Sequence, residues 1–147
     1  MLFRDIPGNN EIKQKLINGI VNGRIAHAQL FCGPNGNAKL ALALSYARYV
    51  NCQSKLPTDS CGSCLSCKKY NNLEHPDLHL VFPVIKTTKI KNTISDHYLS
   101  EWRNLVIDNA YLSVHDWAEE YKGENKMGQT GMTVSYTHLR AHETVGN

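Results

Sequence analysis

Apolar positions first recur with helical spacing at Ile12, Leu16, Ile17 and Ile20. Residues three and four apart share one face of an α-helix, so this run predicts an amphipathic helix starting near Glu11. Asn9 or Asn10 can cap its start, and Gly23 can end it. A short apolar run follows, Ala28-Gln29-Leu30-Phe31-Cys32, and stops at Gly33-Pro34. It predicts a buried strand entering a tight loop, with Cys32 as a core thiol. Over residues 38–49 the pattern turns helical again. Leu40, Ala41, Leu42, Ala43, Leu44 and Ala47 wrap most of that helix, which predicts burial on more than one side. Residues 79–85 read as a second strand, with Pro83 near its end. Residues 86–91 are basic and turn-like. Residues 96–121 read as helical, with Tyr98, Trp102, Leu105 and Val106 on one face and Trp117 and Tyr121 on a further short helix. These aromatics are candidates either for the core or for partner contacts.

The segment after the second helix changes character. Cys52, Cys61, Cys64 and Cys67 follow the spacing C-x8-C-x2-C-x2-C. Each C-x2-C turn presents two sulfurs on one side of the backbone. Four such ligands suit one tetrahedral Zn²⁺, with Zn–S bonds of about 2.3 Å. Pro57, Asp59, Ser60, Gly62 and Ser63 supply tight turns, and Lys55, Lys68 and Lys69 can offset thiolate charge. A filled shell leaves no open position, so the expected ion is structural. Disulfides, an iron–sulfur cluster or unrelated thiols are the alternatives. His75 and His79 form an H-x3-H pair, but the four cysteines already complete a shell and Pro76 breaks helical spacing. They read as structural or surface residues.

Between the first strand and the second helix lies Gly33-Pro34-Asn35-Gly36-Asn37-Ala38-Lys39-Leu40. A phosphate-binding loop reads G-x4-G-K-[S/T]. Gly33 and Lys39 fit that pattern. Ala38 stands where the second glycine lets the backbone wrap phosphates. Leu40 stands where a hydroxyl binds Mg²⁺, and it has no oxygen to offer. No useful ATP hydrolysis is expected from such a loop. A helix starting by coincidence after a Gly-Pro-Asn-Gly turn is the other reading.

Bulk properties narrow the class. The chain has 147 residues, enough for about one domain. Its formal charge of +3 falls to about +1 with four thiolates on Zn²⁺, so charge alone makes no case for nucleic-acid binding. The longest apolar stretch is interrupted by Ser45 and Arg48 and is too short for a membrane span. Residues 1–6 lack the basic-then-apolar order of a signal peptide. A cytoplasmic location is expected, where clustered cysteines favour metal over disulfides.

The run from Gly23-Arg24-Ile25-Ala26-His27 through Pro34, the P-loop-like segment, the four cysteines after its helix and His75-Pro76-Asp77 together resemble bacterial DNA polymerase III clamp-loader subunits, gamma/tau and delta prime. The resemblance covers roughly residues 3–84. It implies an α/β fold, a partial AAA+ parallel sheet flanked by helices, with the zinc module inserted at residues 50–70. The decayed loop points within the family to delta prime, a non-catalytic stator of a DNA-directed DNA polymerase holoenzyme. Implied partners are the gamma/tau and delta subunits and, through the complex, the sliding clamp and primed DNA at the nucleoid. An active gamma/tau-type ATPase and an independent zinc module binding nucleic acid through Lys68, Lys69 and Tyr70 are the alternatives. Residues 85–133 look like a mostly helical, truncated insertion, and the arginine finger, lid and collar are expected beyond it.

Residues 134–144 read Val-Ser-Tyr-Thr-His-Leu-Arg-Ala-His-Glu-Thr. They resemble the one-frame translation of a transposon-end sequencing adapter. The natural sequence is therefore expected to stop near Met132 or Thr133, with residues 134–147 carrying no function. A real polar tail is the alternative.

Overall fold

The computed structural model of the chain describes residues 1–85, 95–122 and 132–133. The basic turn expected at 86–91 and the tail expected at 134–147 lie outside the described residues. Helices dominate the rest: α1 (Asn10–Val21), α2 (Lys39–Asn51), α3 (Leu65–Asn71), α4 (Leu99–Asp108) and α5 (Val114–Lys122). Short 3-10 turns at Phe3–Asp5 and Ser95–Tyr98 precede α1 and α4. Among the described residues no helix is long and apolar enough to cross a membrane.

The first helix forms where its periodicity puts it. Leu16, Ile17 and Ile20 are buried, but Ile12 is 45% exposed, so the apolar face is shorter than the sequence suggests. Asn9 stands at the N-cap in the left-handed region (φ 54°) and makes no side-chain capping bond. At the other end Gly23 (φ 68°) donates to Ile20 O and Arg24 donates to Gly19 O, at 3.0 and 2.7 Å. This paired closure needs a left-handed residue at its centre, which glycine accepts without a Cβ clash.

Helix α2 lies between two apolar clusters, as its wide apolar surface predicts. Ala41, Leu42 and Tyr49 pack with Phe3, Ile6, Leu16 and Ile17, whereas Leu44 joins Leu73, Phe82, Trp102 and Trp117. The second cluster is aromatic. Phe82 stacks on Trp102 at 4.4 Å, and Trp117 meets both rings edge-on at 5.6 and 5.1 Å. Trp117 Nε1 donates to Pro83 O at 2.8 Å, which satisfies the indole inside the core. Tyr98, Trp102 and Trp117 are thus core residues, and the 95–122 segment is bound into the same hydrophobic body as α2. Leu73 follows α3 with φ 53° and is buried. A left-handed non-glycine residue costs about 1–2 kcal/mol, and burying a leucine returns about 1.5–3 kcal/mol, so packing wins.

Two expectations need correction. Residues 28–32 form no strand: Leu30 is 86% exposed and Cys32 is exposed, not a core thiol. An apolar run becomes a strand only when its backbone finds a ladder partner, and none stands beside it among the described residues. The second strand shrinks to β1 (Val84–Ile85), which pairs antiparallel with β2 (Met132–Thr133) in the register Val84↔Thr133 and Ile85↔Met132. This ladder is not the expected parallel sheet. The 96–121 region holds α4 and, as expected, a further short helix, α5, the two parted where Asn109 takes extended backbone (φ −144°, ψ 95°).

Trp102→Ala removes the ring stacked on Phe82 and opens a cavity between α4 and β1. A loss of about 3–5 kcal/mol is expected in chemical denaturation at fixed metal concentration. A loss below about 1 kcal/mol would show that the aromatic cluster is peripheral.

Candidate metal centre

The end of α2 delivers the first sulfur. The helix stops at Asn51, and Cys52 turns into extended backbone (φ −67°, ψ 127°). The chain then loops back to Cys61, and α3 begins from Cys64 with Cys67 in its first turn. All four sulfurs lie within 4.8 Å of one another. Cys52 Sγ and Cys61 Sγ are 3.6 Å apart, and Cys61 Sγ and Cys67 Sγ are 3.9 Å apart. Sulfurs placed tetrahedrally about 2.3 Å from one ion stand about 3.8 Å from each other. The donor set fits a single tetrahedral ion, and none of these cysteines is in a disulfide.

Backbone N–H groups complete the knuckle. Cys61 N donates to Cys52 Sγ, Cys64 N to Cys61 Sγ and Cys67 N to Cys64 Sγ, each at 3.4 Å. Such bonds favour thiolate over thiol. The N–H groups of Cys64 and Ser63 pull the Cys61 thiol down to about 6. Burial pushes Cys52 up to about 11. At Cys64 burial works against ionisation, but the N–H groups of Cys67 and Gln53 prevail and hold the thiol below its ordinary value. The site is thus shaped for thiolates, and a cation is what lets all four ionise together.

Two side chains that the spacing did not reveal anchor the loop. Asp59 is buried, and its carboxylate accepts the N–H groups of Phe3 at 3.2 Å, Arg4 at 3.0 Å and its neighbour Ser60 at 2.8 Å. It ties the N-terminal turn to the cysteine loop across more than 50 residues of sequence. Arg48, also buried, donates to Met1 O at 3.2 Å and Gly62 O at 3.5 Å. Tyr49 Oη reaches Leu56 O at 2.9 Å. Of the lysines expected to offset thiolate charge, Lys68 and Lys69 are exposed, and Lys55 Nζ donates to Cys52 O at 2.9 Å. Long-range pairing of this kind leaves no periodic trace in a sequence. The only hint was an Asp and an Arg in otherwise apolar or turn-forming surroundings.

The histidine pair stays outside the metal cluster. His75 lies 4.8 Å from the Tyr70 ring and accepts the Asp77 N–H at 3.2 Å, whereas His79 is exposed. Tyr70 itself is 3% exposed, so its ring is not offered to a nucleic-acid base.

The phosphate-loop segment lies at the opposite end of α2. Residues 32–37 are exposed, and Gly36 takes φ 74°. A Cβ on Gly33 would fall 2.7 Å from Asn37 Nδ2. Lys39 Nζ donates to Gly33 O at 2.7 Å and closes the loop on itself. Ala38 is buried in the first cluster, and Leu40 packs against the second. The two positions that depart from the nucleotide-binding pattern therefore serve packing.

A family described as DNA polymerase III, delta subunit matches residues 8–111, which is most of this chain. The chain belongs to that family. Among its relatives, DNA polymerase III subunit gamma of Buchnera aphidicola is 40% identical over 67 residues, 46% of this chain and 19% of the relative. DNA polymerase III subunit delta' of Bacillus subtilis is 40% identical over 72 residues, 49% of this chain and 22% of the relative. Protein STICHEL-like 4 of Arabidopsis thaliana is 37% identical over 82 residues, 56% of this chain and 8% of the relative. The chain thus spans under a quarter of the length of these relatives. No solved structure matches. The delta-subunit family match begins before the exposed loop and runs through the cysteine knuckle to the end of α4, so it takes in both candidate sites.

Thiol ionisation sets a measurable stoichiometry. At about pH 7.5 Cys61 is already mostly thiolate, so metal uptake is expected to release fewer than four protons per chain. Below about pH 6 that thiol is protonated and the count should rise toward four. Calorimetry in buffers of different ionisation enthalpy counts the protons, and four released at about pH 7.5 would contradict the geometry.

Proposed function

We propose that this chain is the N-terminal part of a delta-prime-type subunit of the DNA polymerase III clamp loader, acting as a non-catalytic stator. Residues 1–84 would belong to an AAA+ domain, a parallel sheet flanked by helices. A structural Zn²⁺ on Cys52, Cys61, Cys64 and Cys67 would hold the knuckle at 50–70. ATP would be bound and hydrolysed by gamma/tau neighbours, and the complex would place a sliding clamp on primed DNA in the cytoplasm. Residues 85–133 would be an insertion, and 134–147 a non-native tail.

The observation that carries the stator reading is Leu40. It replaces the hydroxyl that would bind Mg²⁺, and its side chain is turned to packing. Ala38 does the same at the second glycine position. Without that oxygen the metal cannot be set against the β- and γ-phosphates, and phosphoryl transfer loses its main electrostatic support. Membership of the family supports the clamp-loader setting.

A gamma/tau-type ATPase is the second reading, favoured by the equal 40% identity to a gamma and a delta' subunit. The two readings part on hydrolysis. The purified full-length subunit is expected to show no Mg²⁺-dependent ATP turnover above background, alone or with primed DNA. Turnover that disappears on Lys39→Ala would reject the stator assignment.

A further inference from the structure

Arg48 presents an unresolved charge. It is 3% exposed, and no carboxylate lies within ion-pairing distance of it among the described residues. Among the described residues its two terminal nitrogens meet only backbone carbonyls, Met1 O and Gly62 O, and Nε has no partner. A buried guanidinium normally needs an anion nearby, because desolvating an uncompensated cation is costly. Its place in the last turn of α2 helps, since helix C-termini favour cations, but that effect is small beside the desolvation of a buried guanidinium. The remainder has to come from elsewhere.

Gly62, the carbonyl that Arg48 touches, sits between Cys61 and Cys64. A divalent ion with four thiolates carries a net charge of −2. The Arg4 guanidinium reaches the same glycine, 3.9 Å from where its Cβ would stand. Arg4 is exposed and screened by water, however, whereas Arg48 is enclosed and its field is not.

We infer that Arg48 is the built-in counter-cation of the metal–thiolate centre. It acts as a positioning residue: it binds no metal, but lowers the cost of gathering four thiolates at the end of α2. The metal site in turn supplies the negative charge that lets a guanidinium stay buried. This inference rests on the metal reading of the four cysteines.

Two substitutions separate charge from shape. Arg48→Lys keeps the cation, and Arg48→Gln keeps a hydrogen-bond donor without it. Zn²⁺ affinity of the full chain, measured by competition with a chromophoric chelator, is the readout, with the Co²⁺ thiolate charge-transfer band as a check on coordination. Removing a supporting group around a metal site typically weakens binding about 10–100-fold. Arg48→Gln is expected to show that loss with an unchanged Co²⁺ spectrum, and Arg48→Lys to stay within about threefold of the parent. Equal affinities for the two variants would overturn the inference. Should Arg48→Gln fail to fold, Arg48→Lys decides alone, and a tenfold or greater loss there would reject a role for charge. A parent chain that binds no Zn²⁺ at all would instead reject the metal reading itself.

Discussion

Four cysteine sulfurs held 3.6–4.8 Å apart cannot all be thiolates unless a cation sits among them. The N-terminal half of the molecule is organised around that constraint. Cys52 closes α2, Cys64 opens α3, and the loop between them carries Asp59 and Gly62. Through Asp59 the loop holds the Phe3 and Arg4 amides, and through Gly62 it meets Arg48. The cysteine knuckle is therefore not an appendage on a finished domain. It is the clasp that joins the first residues of the chain to the end of α2.

Helix α2 transmits this order in both directions. Its C-terminal end is fixed by the sulfur cluster and its flanks by two apolar clusters, while its N-terminal end carries the loop at 33–38. Ala38 and Leu40 tie that loop to the same two clusters. At these two positions the loop contributes side chains to packing where a nucleotide-binding loop would carry a glycine and a hydroxyl.

Local features were legible in the sequence, and long-range ones were not. The x2 and x8 spacings placed the four cysteines together because a metal knuckle is built from near neighbours. The α1 and α2 periodicities held because a single helix face is a local property, and the Gly23 stop held for the same reason. Residues 28–32 misled because an apolar run says nothing about whether a ladder partner lies beside it. Ile12 misled because the helix outruns the surface it packs on. The anchoring roles of Asp59 and Arg48 escaped notice because their partners lie 55 and 47 residues away, where no spacing rule reaches. Trp102 and Trp117 were ambiguous in sequence, since an aromatic face serves a core or a partner equally well. Their stacking on Phe82 resolves it.

If the cysteine knuckle is the clasp, metal binding orders the N-terminal turn. Amide hydrogen exchange of Phe3 and Arg4, measured with Zn²⁺ bound and after chelation, addresses this directly. Both amides should be protected in the metal-bound chain and lose protection on chelation, while α4 amides around Trp102 keep theirs. Protection of Phe3 and Arg4 that survives complete removal of the metal would contradict it.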